Sequence, residues 1–386
     1  MSLLWYPSVK ESPIKGLSGM GGGIFWSSMS GGGLSAAEVV VVASDNNNTS
    51  PSPAGTYTDG QSFYLRGYDS GLNQKAPYSS SFRNNGYMQV GADSQLLVRI
   101  WGAAGGSGNG SFSGYGGGGQ YVESTIVFDS DGGTVYYMVG AGGGWGDSSQ
   151  IASGGWGGGG SCGKETGSNP TYGTSGTAWQ NGGNATNFPV NRSAQGGGGG
   201  GVSGLFVKSG GAGQTADQND ASQANALILA GAGGGFGGYA PGQTGAGGGS
   251  TDSGHANSAN ATAAGVNNTS DAENGGAGYG GSGMQRGGGG GSGYWGGAGG
   301  NDQVYGGQPG TRQAGGGGYG NTTAGTSVSG VTISSTTITA ATNQAVANNG
   351  GTGYTSSPIN YGTSSANQQT MGGSGLIQIT VQDQSA

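Results

Sequence analysis

The sequence predicts a mainly β protein in which packed polyproline-II glycine-rich helices lie beside short strands, with essentially no α-helix. Three observations carry this expectation. Glycine accounts for 99 of the 386 residues, about a quarter, where ordinary proteins hold about 7%. The apolar residues fall in short runs that alternate at period two, and no stretch shows the 3.6-residue period of an amphipathic helix. Charged residues make up only 8% of the chain, while Tyr (18) and Trp (7) are abundant. A disordered low-complexity chain has the opposite balance of charge and aromatics.

Ordering glycine costs more backbone entropy than ordering any other residue. A glycine-built fold must offset that loss. Polyproline-II helices can do so when bundled, because they have three residues per turn and no internal hydrogen bonds. Their amides and carbonyls then bond between helices, as buried groups must. Collagen is excluded, since the glycine spacing is irregular and only 10 prolines are present.

Residues 1–36 read as an N-terminal attachment arm. The arm holds Trp5, Phe25 and Trp26 but is too short to bury them within its own core. Residues 37–93 read as a β-rich lead-in. It opens on a strand at Glu38–Val42 and a linker at Asp45–Gly55. Tyr57, Phe63 and Tyr64 alternate with polar residues, and Asn85-Gly86 has the composition of a hairpin turn.

Residues 94–386 read as the glycine-rich domain. Its first strands are Leu96–Trp101, Gln120–Phe128 and Thr134–Gly140. Val122, Ile126 and Phe128 share one face of the second. Asp129–Gly133 is expected to close the second and third strands as a hairpin. Val202–Val207 and Ala226–Gly231 are two further strands, each tied to a glycine run: Gly196–Gly201 precedes the first and Gly231–Gly235 follows the second. Residues 250–274 form a polar insert. Residues 321–348 form a Thr-rich hairpin or exposed arm. The last strand, Leu376–Val381, places Ile377, Ile379 and Val381 on one face and is expected to pair with the first core strand.

The order of these parts resembles a known family. An apolar strand runs into GAAGG. GGGGQYVESTIVF follows, then VYYMVGAGGG, then long glycine tracts, and GGSGLIQITV closes the chain. This is similar to the glycine-rich domain at the receptor-binding end of bacteriophage tail fibres. The unit from Gly196 to Gly235 is also distantly similar to the glycine-rich ectodomain of anaplastic lymphoma kinase-type receptors. The resemblance covers about residues 94–382. It implies polyproline-II helices laid against strands, binding residues on loops at the bundle tip, and a homo-oligomer, with a trimer favoured. The polar insert and the Thr-rich arm depart from the family pattern.

The residues offer little catalytic chemistry. His255 is the only histidine, so a catalytic triad or a His-based metal site would have to rest on it alone. Gly158–Lys164 approaches a phosphate-binding loop, but Glu165 stands where Ser or Thr must meet magnesium. Cys162 is the single cysteine, which excludes an intramolecular disulfide. The formal charge of −7 argues against nucleic acid, whose phosphates need clustered Lys and Arg. No apolar run reaches the roughly 18 residues of a membrane span, and the first residues lack a signal-peptide core. The sequence therefore reads as a non-enzyme without cofactor or metal; the resemblance implies a protein made in a host cytoplasm and carried in the virion.

Aromatic residues are favoured at binding patches. Trp145, Trp156, Trp179, Tyr239 and Trp295 are the receptor-binding candidates. Trp5, Phe25 and Trp26 are the candidates for attachment to other virion proteins. The competing role for the first set is to cover glycine helices, which offer no side chains for burial. The functional expectation is a virion tail-fibre or tail-tip component that binds a host-surface receptor or glycan. A structural filament subunit is the alternative, and an ice-binding protein is the third reading, from the VTISSTTITAAT stretch.

Overall fold

The computed structural model describes residues 34, 36–43, 54–67, 77–108, 116–146, 151–163, 173–184, 196–208, 216–237, 245, 248–249, 263–266, 273–284, 287–300, 318, 330–341 and 371–384. The chain divides into two units, 1–33 and 34–386. The first, with Trp5, Phe25 and Trp26, lies outside the described residues.

Eleven strands form among the described residues of the second unit: β1 Glu38–Ala43, β2 Gly55–Thr58, β3 Ser62–Arg66, β4 Asn84–Val90, β5 Ser94–Trp101, β6 Tyr121–Phe128, β7 Gly133–Val139, β8 Ser203–Val207, β9 Ala226–Ala230, β10 Val331–Thr339 and β11 Leu376–Asp383. The only helices among them are single 3-10 turns at Ser80–Phe82 and Gln218–Asp220. A six-stranded sheet runs β2-β1-β4-β7-β8-β9, and a five-stranded sheet runs β10-β6-β5-β11-β3. Every pairing is antiparallel. The protein is mainly β, as the alternating apolar runs predict.

The two sheets face each other across one core. Val39, Met88, Val135, Tyr137, Leu205 and Ile228 come from the larger sheet, and Leu65, Val98, Ile100, Ile126, Ile377 and Ile379 from the smaller. Burying each such side chain contributes about 1.5–3 kcal/mol. Val122, Ile126 and Phe128 share this core, as do Ile377, Ile379 and Val381. β11 pairs with β5, with Ile377 opposite Ile100, so the closing strand meets the first core strand as expected.

Three expectations need correction, and a fourth is described only in part. Asp129–Gly133 does make a tight turn, with the Gly132 amide donating to Asp129 O at 3.1 Å and Gly132 at φ 65. It is not a hairpin, because β6 lies in one sheet and β7 in the other. Asn85-Gly86 sits inside β4; the glycine is needed there because a Cβ would stand 2.5 Å from the Tyr137 hydroxyl and 2.6 Å from Val42 O. Residues 37–93 are not a separate lead-in. β4 lies between β1 and β7, and β3 pairs with β11, so these strands complete the same two sheets. The described part of the Thr-rich stretch is a single strand, β10, at the edge of the five-stranded sheet.

The outer face of the larger sheet holds a second apolar cluster. Tyr136, Met138, Phe206 and Leu229 meet Trp156, Trp179 and Val202 there. β7 and β8 are thus buried on both faces. Burial pushes the Tyr136 hydroxyl above its ordinary value, while Asn85 Nδ2 donates to its oxygen at 2.8 Å.

Candidate binding surfaces

Glycine tracts continue from one end of the sandwich. Gly102 follows β5, Gln120 precedes β6, Gly140 follows β7, Val202 precedes β8, Gly231 follows β9 and Gly375 precedes β11. These residues bond to one another: the Gly102 amide donates to Gln120 O, the Gln120 amide to Gly231 O and the Gly375 amide to Gly140 O. This level is the near end of a bundle of extended segments.

The tract Gly197–Val202 runs through the middle. Its successive amides donate to Phe236, Gly144, Gly160, Gly233, Ala141 and Gly157, at 2.8–3.1 Å. The acceptors therefore rotate among three neighbouring segments with a period of three residues. Its carbonyls follow the same rotation. Those of Gly197 and Gly200 accept from Gly289 and Ser292, those of Gly198 and Gly201 from Gly106 and Ala103, and that of Gly199 from Gly155. Six segments surround this one tract, and three residues per turn is the period of polyproline-II geometry. The backbone groups that glycine leaves without side-chain cover are satisfied in this way.

The contacts are too close for any side chain. A Cβ on Gly142 would lie 1.7 Å from Gly372 O, and one on Gly105 2.0 Å from Gly234 O. Glycine is present here for close approach of backbones, as at the axis of a collagen triple helix.

The same pairings define a far end. The Gly106 amide bonds Gly198 O, the Gly144 amide Ser153 O, the Phe236 amide Gly106 O, and the Met284 amide Gly300 O. Gly108, Gly116, Gly146, Ile151, Gly163, Gly173, Gly196, Gly237, Met284, Gly287 and Gly300 all fall at this far end, where the described tracts stop. The segments that join them lie outside the described residues.

The candidate aromatics are distributed unevenly over this frame. Trp156 is fully buried and Trp179 is 7% exposed. Both sit at the near end against Phe206, with Trp179 edge-on to it at 6.1 Å. Their expected role as exposed binding rings is corrected: they are core residues, because the outer face of β7 and β8 presents Tyr136, Met138 and Phe206 for them to cover. Trp179 takes φ 49 in doing so. Trp145 lies toward the far end and is buried, at 6% exposure. Trp295 is half-buried at the near end, edge-on to Tyr294 at 5.8 Å. Tyr279, also half-buried, occupies the adjoining turn, where Gly276 and Tyr279 form a β-bridge. Sequence reading gave Tyr279 and Tyr294 no site role; the glycines around each turn were the available signal. Tyr239 lies outside the described residues.

The outer face of the smaller sheet is polar and laterally bonded. Tyr64, Gln378, Arg99, Glu123 and Thr337 stand opposite one another in one row across its five strands. Arg99 Nε donates to Glu123 Oε2 at 2.5 Å, and the Tyr121 hydroxyl donates to the same oxygen at 2.8 Å. Partial burial pushes the Glu123 carboxyl up, but these two hydrogen bonds and the Arg99 charge outweigh it and hold the group below the ordinary value.

His255 and Lys164 lie outside the described residues. Cys162 is buried. The amides of Gly160, Ser161, Cys162 and Gly163 donate to Gly290, Thr174, Ala152 and Gly287 carbonyls, so this stretch cradles backbone rather than phosphate. Among the described residues no cluster of His, Cys, Asp or Glu could hold a metal ion, and no helix is long and apolar enough to cross a membrane. No protein-family model matches the chain, and no curated protein matches it.

Proposed function

We propose that the protein is a bacteriophage virion component, of tail-fibre or tail-tip type, whose glycine-rich module binds a receptor or glycan on the host surface. The observation that carries this reading is the far end of the bundle. The tracts there are locked to one another by backbone bonds, as in the Gly106 amide on Gly198 O and the Phe236 amide on Gly106 O. A frame fixed in this way is the kind of rigid scaffold on which binding residues are positioned. Trp145 is buried like Trp179, so the remaining candidate toward this end is Tyr239, which falls in sequence between Gly237 and Gly245. Binding rather than catalysis, without a cofactor, is the activity proposed. The N-terminal arm, residues 1–36, would attach the protein to other virion proteins through Trp5, Phe25 and Trp26, and the protein would act as a homo-oligomer in the tail.

Adsorption competition tests the reading. Purified folded protein should block attachment of the phage that carries it, and Tyr239→Ala should weaken the block with an unchanged melting temperature. Folded protein that leaves adsorption unchanged and polymerises into helical filaments would overturn the reading in favour of the structural one.

A further inference from the structure

We propose that the outer edge of β10, which has no strand neighbour among the described residues, is a self-association surface, occupied by β10 of a second copy of this chain in antiparallel two-fold pairing. β10 ends the five-stranded sheet, and β6 is its only strand neighbour among the described residues. Residues 334–338 are exposed along it, and Ile338 at 37% is one of two exposed large hydrophobic residues among those described. The strand has no charge, proline or glycine. Charged residues and proline are devices by which natural edges avoid pairing.

The sequence of the strand selects the occupant. Thr332-Ile333-Ser334-Ser335 is followed by Thr336-Thr337-Ile338-Thr339. Read backwards, the eight residues repeat themselves if Ser and Thr are taken as equivalent. In a two-fold antiparallel pair Thr332 opposes Thr339, Ile333 opposes Ile338, Ser334 opposes Thr337 and Ser335 opposes Thr336. An isologous interface needs this self-complementarity.

The faces of the three outer pairs agree with the palindrome only because of an irregularity, while Ser335 and Thr336 at the centre turn to opposite faces, toward Thr125 and Ser124. Ile333 and Ile338 are an odd number of residues apart, which a regular pleat would place on opposite faces. The register shifts between Ser334 and Thr336, and Ser335 takes φ 47. Ile333 then stands opposite Ile126 and Ile338 opposite Val122, both on the core side. Thr332 and Thr339 stand opposite Val127 and Tyr121, on the other side. The bulge thus sits at the centre of the palindrome. Each Ile–Ile pair extends the core face across the axis, and each Thr–Thr pair lies on the polar face. Main-chain bonds between such edges supply affinity, and the side-chain pairs supply register.

The full chain, 37.1 kDa, should sediment as a reversible dimer, or a multiple of it, across the micromolar range. Thr332→Lys with Thr339→Lys sets like charges opposite each other twice and should weaken association by about a hundredfold, with the melting temperature unchanged. Thr332→Lys with Thr339→Glu sets opposite charges there and should retain the dimer. Ile338→Thr keeps a β-branched residue and should weaken association by about tenfold through lost apolar burial. A wild-type chain that stays monomeric throughout this range overturns the proposal. So does an oligomer that the double-lysine variant leaves intact, or equal dissociation of the lysine–lysine and lysine–glutamate variants. These outcomes do not depend on adsorption, so they separate this surface from the proposed function.

Discussion

A Cβ placed on Gly198 would lie 2.0 Å from the carbonyl oxygen of Ser153. The same glycine donates to Gly144 O at 2.9 Å and accepts from the Gly106 amide at 2.8 Å. Three neighbours therefore fix its position, and none can withdraw without breaking its own bonds. Gly198→Val should destabilise the protein by more than about 3 kcal/mol, beyond the usual range for a single change. Gly55→Val is the control, because a Cβ at Gly55 meets nothing closer than 3.9 Å and the residue is exposed. Thermal melts of both variants give the comparison. An unchanged melting temperature for Gly198→Val would mean the tract is not packed.

Amide hydrogen exchange reads the same array without mutation. The amides from Gly197 to Val202 are bonded in turn to three segments and buried at the centre of six. They should exchange only by global unfolding, the slow limit for a folded domain. Circular dichroism should show polyproline-II and β signatures with no α-helical band. Fast exchange at Gly199 or Gly200 would contradict the arrangement.

The sheet topology sets where the chain can be cut. A chain beginning at Asp93 lacks β1 to β4, so β7 loses its partner β4 and β11 loses β3. Met88, Val90, Phe63 and Leu65 leave the core with them. That chain should aggregate or fail to fold, whereas one beginning at Leu34 should melt cooperatively at a temperature close to that of the full chain. Cooperative folding of the shorter chain would restore 37–93 as an independent segment.

What could be read from sequence follows from what side chains report. Period-two alternation exposed β5, β6, β7 and β11 as strands, and the inward faces of β6 and β11, because each strand has one or both faces in a core. It could not show which sheet a strand joins. The turn at Asp129–Gly132 has the same local chemistry whether the chain folds back or crosses the sandwich. Glycine tracts carry no side-chain pattern, so the three-residue rotation at Gly197–Val202 leaves no trace in the sequence. Trp156 and Trp295 lie in similar glycine-rich surroundings. Only distant residues, Tyr136 and Phe206 on β7 and β8, decide that the first is buried.

The Arg99–Glu123 pair gives a pH dependence of known sign. The folded carboxyl titrates below the ordinary glutamate value of 4.5. Its contribution is therefore fully present above that value and is lost as pH falls through the lower folded value. Glu123→Gln should remove this part of the acid limb and leave stability at neutral pH lower by less than about 1 kcal/mol, since the pair is partly exposed. Urea melts of the two proteins from neutral to acid pH measure the difference. A gap that stays constant on acidification would show that Glu123 does not carry the effect.

Trp156 and Trp295 should separate stability from binding. Trp156 is fully buried between the bundle and the outer face of the larger sheet, in the cluster of Tyr136, Met138 and Phe206. Its amide is also tied to Pro77 O and its carbonyl to the Ala141 amide, so the backbone cannot close over a lost ring. Trp156→Ala should cost about 3–5 kcal/mol, as for other large-to-small core changes. Trp295 is half-buried, and its described aromatic contact is the edge of Tyr294. Trp295→Ala should leave the melting temperature nearly unchanged. Because Trp295 lies at the sandwich end of the bundle, adsorption competition by that variant should match wild type if the far end binds the host. Loss of competition with stability intact would move the binding surface to the near-end turns that hold Tyr279, Tyr294 and Trp295.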